Sequence, residues 1–354
     1  MSCSNKRILF ADLLSPQGHI KFNNIYLNAL DGKYDIICVG QGDYTSKLRL
    51  PSSCLKTYSF PEFNKPAQDN RWTAIQYRLH QLRMQKYCVQ LAIKEHCDAI
   101  IFSSFENVSL SFIATRKVNI IAICHNNVEQ LFHSKIKHLL LRLLSNRIRL
   151  VTLTKGAADY LTINGIKNKL LPHGFLNVAK RATTSNRYIF IPVNEAFDDN
   201  ILNYLLSSEY TSFLESNQCQ LVIKHKIADR FNSNSSVIKV ISDMLPYSEY
   251  EAYFSNAAAI LLPYAKTYTL RSSGIAMEAI AYEKFVIAPD TISFSSLKIE
   301  GDSGMLLYNA AQDIKQLTLF AIQNCNNVSY SNIRELNSAS HILEGINQLV
   351  SNAK

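Results

Sequence analysis

The eight cysteines of this 354-residue chain include no Cys-x-x-Cys pair, and no His/Cys cluster has the spacing of a zinc site. Dithiol redox chemistry and structural zinc are therefore not expected. Cys38 and Cys124 lie inside apolar strand-like runs, "DIICVG" and "IIAIC", so the cysteines read as buried free thiols of a reducing compartment. Long apolar runs are missing as well. In "MSCSNKRILFADLLS" a basic pair precedes an apolar segment that Asp12 interrupts after four residues, too short for a signal h-region or a membrane span. A cytoplasmic protein is expected, at most peripheral at the inner face of the cytoplasmic membrane. The first strand is followed by "ADLLSPQGH" and not by Gly-x-Gly-x-x-Gly, and "GQG" at 40–42 lacks the third glycine, which argues against a nicotinamide dehydrogenase. The acidic pairs in "FDDN" and "EGD" do not follow a strand as a divalent diphosphate site requires, so neither a metal nor another cofactor is expected.

What is present is a globular composition, 47% hydrophobic and 18% charged, long enough for two domains with real cores. Short β-branched or aliphatic runs at 7–13, 34–40, 98–104, 119–124, 150–154 and 168–172 alternate with helical patterns. A second series follows at 188–193, 220–225, 236–242, 257–264, 285–289 and 304–308. Continuous apolar strands of this kind belong to parallel sheets covered on both faces. The reading is α/β: an N-terminal Rossmann-like domain over 1–176, a linker over 177–186, a second such domain over 187–330, and a closing helix over 331–354 that can cross back to the first domain. Two doubly wound domains facing each other across a cleft would bind ligands at the carboxyl ends of their strands.

Charge is uneven. Residues 1–180 hold 24 Lys and Arg against 11 Asp and Glu, net +13, whereas residues 181–354 hold 13 against 17, net −4. The first half should seek an anionic partner. Its segments 71–87 and 133–150 pair Leu, Ile and Tyr at helical spacing with Lys and Arg, as helices lying in a membrane interface do; two domain helices with solvated basic faces would look the same. Neither segment has the stacking aromatics or groove-reading motif of a nucleic-acid binder, so no nucleic-acid partner is expected.

The most informative stretch is "LRSSGIAMEAIAYEKFVIAPD", 270–290. Ser272, Ser273 and Gly274 open a helix whose first turn offers unpaired N–H groups and a positive dipole end, a seat for a diphosphate. Glu278, one turn on, is placed to accept ribose hydroxyls. Ser273 as a plain N-cap and Glu278 as a solvated face residue is the other reading.

With its flanks, "LLPYAKTYTLRSSGIAMEAIAYEKFVIAPD" resembles the donor-binding segment of GT-B glycosyltransferases, above all the large family-4-like group. That resemblance implies Ser273, Gly274 and Ile275 at the diphosphate and Glu278 at the ribose of a UDP- or GDP-type sugar donor. Three positions depart from the pattern: Leu270 stands where a sugar-contacting Glu is common, Glu283 replaces Gly and Phe285 replaces Pro. "SPQGHIKFNNIYLNAL" is similar to the first strand-to-helix loop of these enzymes, and "ICHNNVEQL" and "VTLTKGAADYLTINGIKNKLLPHGF" to later segments of their acceptor domain. The resemblance thereby implies Gly18 and Asn126 on the acceptor-side loops, His19 as a general base and His125 as a ligand of the transferred sugar. His173 reads as a turn residue. The usual Arg and Lys after the first strand of the second domain are absent from "IFIPVNEAFDDN"; Lys224, Lys226 and Arg271 are the candidates for stabilising the leaving diphosphate, with plain surface lysines as the alternative.

The expectation is a metal-independent glycosyltransferase, retaining favoured, acting on a lipid-linked or anionic saccharide acceptor in bacterial surface polysaccharide assembly. A non-catalytic GT-B relative serving as partner or scaffold is the second class, for which Leu270 and the missing bases at 194–200 speak.

Overall fold

The structure, a computed structural model, describes residues 5–13, 19–63, 71–176, 178, 187–193, 197–225, 235–242 and 245–351. The chain forms two compact units: Met1–Gly174 with Leu270–Ser272 and Asn337–Lys354, and Phe175–Thr269 with Ser273–Leu336.

In the first unit the elements run β1 (Arg7–Ala11), α1 (Ile20–Leu30), β2 (Asp35–Gln41), β3 (Cys54–Phe60), α2 (Arg71–Lys94), β4 (Ala99–Phe102), α3 (Asn107–Ile113), β5 (Asn119–Ile123), α4 (Lys135–Leu144), β6 (Arg149–Thr152), α5 (Lys155–Ile163) and β7 (Lys169–Leu170). The seven strands pair in the order β3-β2-β1-β4-β5-β6-β7, all parallel. Side chains alternate across the sheet, so β1 sends Ile8 and Phe10 into one apolar cluster and Leu9 and Ala11 into another. Burial on both faces is why these strands are unbroken apolar runs. The two edge strands, β3 and the exposed two-residue β7, are the exceptions, and no apolar run announced β3. It is an edge strand, mostly exposed, whose "CLKTYSF" has water on one side and needs no continuous hydrophobicity.

The second unit runs β8 (Tyr188–Ile191), α6 (Asp199–Leu205), α7 (Ser208–Ser216), β9 (Gln220–His225), β10 (Ile238–Ser242), α8 (Tyr247–Asn256), β11 (Ala259–Leu261), α9 (Gly274–Ala281), β12 (Phe285–Pro289), α10 (Ile292–Ser295), β13 (Met305–Tyr308), α11 (Asp313–Asn324) and α12 (Ser331–Leu336). Its six parallel strands order as β10-β9-β8-β11-β12-β13.

Residues 331–354, expected as one closing helix, instead hold α12 and a separate α13 (Ala339–Ser351). "NS" at 337–338 breaks them: the Asn337 carboxamide accepts from the His173 N–H at 3.1 Å, and the Ser338 hydroxyl lies 2.7 Å from His341 Nδ1. The local serine bond competes with a continuous helical ladder, while the Asn337 bond ties the break to residue 173, distant in sequence. α13 belongs to the first unit, where Ile342, Ile346, Leu349 and Val350 share a core with Phe22, Tyr26 and Leu30 of α1. The expected linker 177–186 lies outside the described residues except for Val178. None of the seven described cysteines is in a disulfide; Cys54, Cys97 and Cys325 are only half-buried, unlike the others.

Gly174 shows how tightly α13 is seated. Its φ is +80°, and a Cβ there would lie 2.4 Å from Ile25 Cγ2 and 2.8 Å from Ile342 Cδ1. Gly174→Ala is therefore expected to cost roughly 2–3 kcal/mol, from backbone strain plus overpacking, read as a lowered urea midpoint.

Candidate functional site

Each sheet reverses its strand order once, between β1 and β4 in the first unit and between β8 and β11 in the second. At such a point successive crossovers leave in opposite directions and the carboxyl ends of the strands are left open to a ligand.

In the second unit, the chain leaving β11 is fixed by an aromatic stack. The Tyr264 and Tyr268 rings are 4.3 Å apart at 8°, and Phe294 stacks on both. The chain then enters α9. Ser273 is its N-cap, extended in backbone, with Oγ accepting from the Ala276 N–H at 3.2 Å. That bond leaves the N–H groups of Gly274 and Ile275 with no partner among the described residues. Gly274 is exposed, and a Cβ on it would meet nothing within 4 Å. Bare donors at the positive end of a helix dipole make an anion seat.

Glu278 departs from the solvated-face reading. It is only 7% exposed, and its Oε2 accepts from the Tyr250 hydroxyl at 3.2 Å. Burial, and then the charge of Glu278, hold that hydroxyl well above the usual tyrosine range, so Tyr250 stays a donor. Lys224 Nζ lies 5.7 Å from the Tyr250 ring centre. Lys224 and Glu278, distant in sequence, thus meet on one tyrosine that the sequence reading missed. Lys226 lies outside the described residues.

Leu270 and Arg271 belong to the first unit. Leu270 is buried in a cluster with Leu13, Phe105 and Leu131, which explains an apolar residue at that position. Glu129 holds both: Oε1 accepts from the Leu270 N–H at 3.1 Å and Oε2 lies 2.6 Å from Arg271 Nε.

At the β1/β4 reversal of the first unit, Asp12 closes β1. Its buried carboxylate accepts from Asn23 Nδ2 at 2.7 Å and from the Tyr44 hydroxyl at 3.0 Å, and also from the Ser104 hydroxyl. His19 caps α1 in the left-handed region, φ 60°, with Nδ1 3.6 Å from Asp12 Oδ2. Its ring stacks on His125, centroids 4.3 Å apart at 17°. The Phe22 ring edges against both His125 and His173. His125 Nε2 is 2.9 Å from the Ser103 carbonyl, which can only accept, so that nitrogen carries the proton and Nδ1 is bare. Burial, then the neighbouring His19 and His173, push the His125 pKa well below the ordinary value. Burial brings His173 to about 4. His173, expected as a turn residue, is a buried residue packed on Phe22.

Asn126 is exposed, whereas its neighbour Asn127 is the one built in, donating to the Phe105 carbonyl at 3.0 Å and to Asn107 Oδ1 at 2.7 Å. Gly18 lies outside the described residues. Sequence reasoning passed over Asp12, Asn23, Tyr44, Ser104 and Asn127. Only Asp12 left a trace, as the single acid ending an apolar strand. Among the described residues, no group of three or more His, Cys, Asp and Glu could hold a metal ion.

No protein-family model matches the chain, and no curated protein sequence matches it. Solved structures do. The chain is similar to Anabaena HepE in complex with UDP and glucose (TM-score 0.67, 10% identity, 98% of this chain and 100% of that one). It is also similar to the lipopolysaccharide outer core galactosyltransferase WaaB (0.61, 12%, 98% and 100%). A third similar structure is Methanocaldococcus jannaschii UDP-GlcNAc 2-epimerase in complex with UDP-GlcNAc and UDP (0.60, 14%, 98% and 100%). The fold is GT-B, as the resemblance implied.

Two outcomes follow from this geometry. His125 and His173 are held neutral when folded but take up protons near 6.5 when unfolded. Their contribution is complete above pH 6.5 and is lost as the pH falls towards about 4, the folded value of His173, because the unfolded chain binds the extra protons. Melting temperature against pH should fall across that window, and less steeply in His173→Asn. Separately, Glu283 sits at φ 54° just past α9, where Lys284 N–H bonds the Ala279 carbonyl and Glu283 N–H that of Ile280, the Schellman pattern that favours glycine. Glu283→Ala and Glu283→Gly both lose the ion pair to Arg334, but only Gly removes the strain. The Gly variant should be more stable than the Ala variant by about 1 kcal/mol in denaturant titration.

Proposed function

We propose that the chain is a glycosyltransferase that binds a nucleotide-sugar donor in its second unit and transfers the sugar to an acceptor recognised by the first. The observation that carries this reading is the open first turn of α9 at the β8/β11 reversal, with the buried Glu278 one turn inside it. Gly274 and Ile275 N–H groups take the diphosphate, assisted by the helix dipole and by Lys224. Glu278, whose Oε2 accepts from the Tyr250 hydroxyl, is the carboxylate that accepts from the ribose hydroxyls. The departing diphosphate is stabilised by fixed donors and charge, with no metal invoked. UDP is the first nucleotide to try, since HepE and the epimerase were both solved with it.

On the acceptor side, His19 is the proton-accepting group. Asp12 stands behind Nδ1 at 3.6 Å and would stabilise the imidazolium once a proton is taken, while neutral His125, stacked beneath, exposes a bare Nδ1 as acceptor for a sugar hydroxyl. Retaining transfer is the course we favour, from the form of the Ser-Gly/Glu segment; inversion would run through His19. The anomeric configuration of the product separates the two. The acceptor class proposed is a lipid-linked or anionic saccharide of bacterial surface polysaccharide assembly, for which the net +13 of residues 1–180 and the likeness to WaaB speak.

Two other activities compete. One of the similar structures is an epimerase, so nucleotide binding alone does not establish transfer. A non-catalytic scaffold would bind no nucleotide well.

A thermal-shift panel of UDP, GDP, ADP, CDP and their common sugars, on wild type and Glu278→Ala, is the test. A nucleotide at a hundred times its Kd stabilises the folded state by about 2.7 kcal/mol, and Glu278→Ala should abolish most of that shift for one base only. No shift with any nucleotide sinks the donor assignment. A UDP-sugar that binds and is isomerised without transfer to any acceptor sinks the transferase reading while leaving the site in place.

A further inference from the structure

Helices α2, α3 and α4 of the first unit carry an apolar surface that the donor and acceptor chemistry does not use. On α2, Trp72, Ile75 and Leu79 are exposed at i, i+3 and i+7, which puts them on one stripe; Trp72 is 72% exposed. The opposite side of α2 is buried through Thr73, Gln81, Met84 and Cys88. α4 repeats the arrangement: Ile136, Leu139 and Leu143 are exposed at the same spacing while Leu141 and Leu144 face inward. Between them α3 presents Phe112, 75% exposed. α3 packs on both neighbours, and the Ser109 hydroxyl donates to the Arg78 carbonyl at 3.4 Å, which fixes it against the exposed half of α2. Seven large apolar side chains therefore crown one layer of three helices.

On the helices themselves the charge has one sign, and Glu106 beside them has its side chain tied to the Ser109 N–H as the cap of α3. The three helices contain eight Lys and Arg and no Asp or Glu. Arg78, Arg83, Lys86, Lys135 and Arg142 are exposed, as are Arg116 and Lys117 just after α3. A second copy of the chain would set this basic face against itself, with like charges juxtaposed. Projecting Trp, Phe, Leu and Ile among basic residues that can reach outward on long stems are instead what an anionic bilayer surface accepts.

We infer that the α2–α3–α4 face docks on an anionic lipid surface, with Trp72, Phe112 and the α4 stripe entering the headgroup region and the flanking Lys and Arg meeting lipid phosphates. No helix among the described residues is long and apolar enough to cross a membrane, so the contact is interfacial. The inference does not rest on the donor site, and its test uses no nucleotide.

Trp72 is the sole tryptophan of the chain and reports on the face directly. The full-length protein is mixed with vesicles of phosphatidylcholine alone and of an equimolar phosphatidylcholine and phosphatidylglycerol mixture, then followed by vesicle flotation and by tryptophan emission. Flotation with a blue shift on the anionic vesicles, reversed by salt, is expected. Leu139→Ser/Leu143→Ser, two exposed changes that leave the core intact, should weaken partitioning about tenfold or more with an unchanged melting temperature. Failure to float with either vesicle, equal binding to both, or wild-type binding by the double variant overturns the inference. A blue shift that grows with protein concentration in the absence of lipid overturns it as well, in favour of a second copy on this face.

Discussion

The order reversal in each parallel sheet is the constraint on which both candidate sites depend. Parallel neighbours must be joined by right-handed crossovers. Where the order runs 3-2-1-4, the crossover from β1 to β2 covers one face of the sheet and the connection from β3 back to β4, which carries α2, covers the other, so the carboxyl ends of β1 and β4 are not roofed by their own loops. Backbone and polar groups that would be sealed elsewhere stay available there. In the first unit the hydrogen bonds from Leu13 N–H to Ser104 Oγ and from Ser104 to Asp12 stitch those two strand ends together beneath His19. In the second unit the equivalent reversal lies at β8 and β11, and the helix that leaves it is α9.

Given such a floor, the chemistry is set by how each helix begins. α1 starts from a histidine in the left-handed region with no side-chain cap bond, a conformation a non-glycine residue holds only when its surroundings fix it. Here the ring of His125 and the carboxylate of Asp12 do so. α9 starts from a serine that satisfies only the third donor of the turn, leaving the first two for something else. A cap that consumed all of them would stabilise the helix and remove the seat; the structure shows the weaker cap.

Much of this was legible in the sequence because the information was local. Continuous apolar runs announce strands of a sheet covered on both faces, and all but one were read; β3 was missed because an edge strand escapes that requirement. Ser273, Gly274 and Glu278 were legible because an N-cap and an acid one turn later share one helix. Tyr250, Asn127 and the network on Asp12 were not. Tyr250 lies 28 residues from Glu278 and Ser104 lies 92 from Asp12. Pairings across that distance are decided by register and crossover, which periodicity does not encode.

Leu270 and Arg271 show the same limit acting on a charge argument. From sequence, Arg271 beside the Ser-Ser-Gly turn is a natural counter-charge for a leaving diphosphate, and Leu270 a missing carboxylate. In the structure the two are one feature. Leu270 is buried in the first unit's core, where an ionised Glu would have to be desolvated without a partner, at a cost of several kcal/mol. Anchoring Leu270 there brings its N–H and the Arg271 guanidinium to the single carboxylate of Glu129. The arginine's charge is thereby largely offset before any ligand arrives. Under the proposed donor assignment, positive potential for an anion at α9 then comes chiefly from the N–H groups of Gly274 and Ile275, the helix dipole and Lys224. The first three are fixed in place and need no reorganisation when charge develops, which is the condition under which electrostatic stabilisation is most effective.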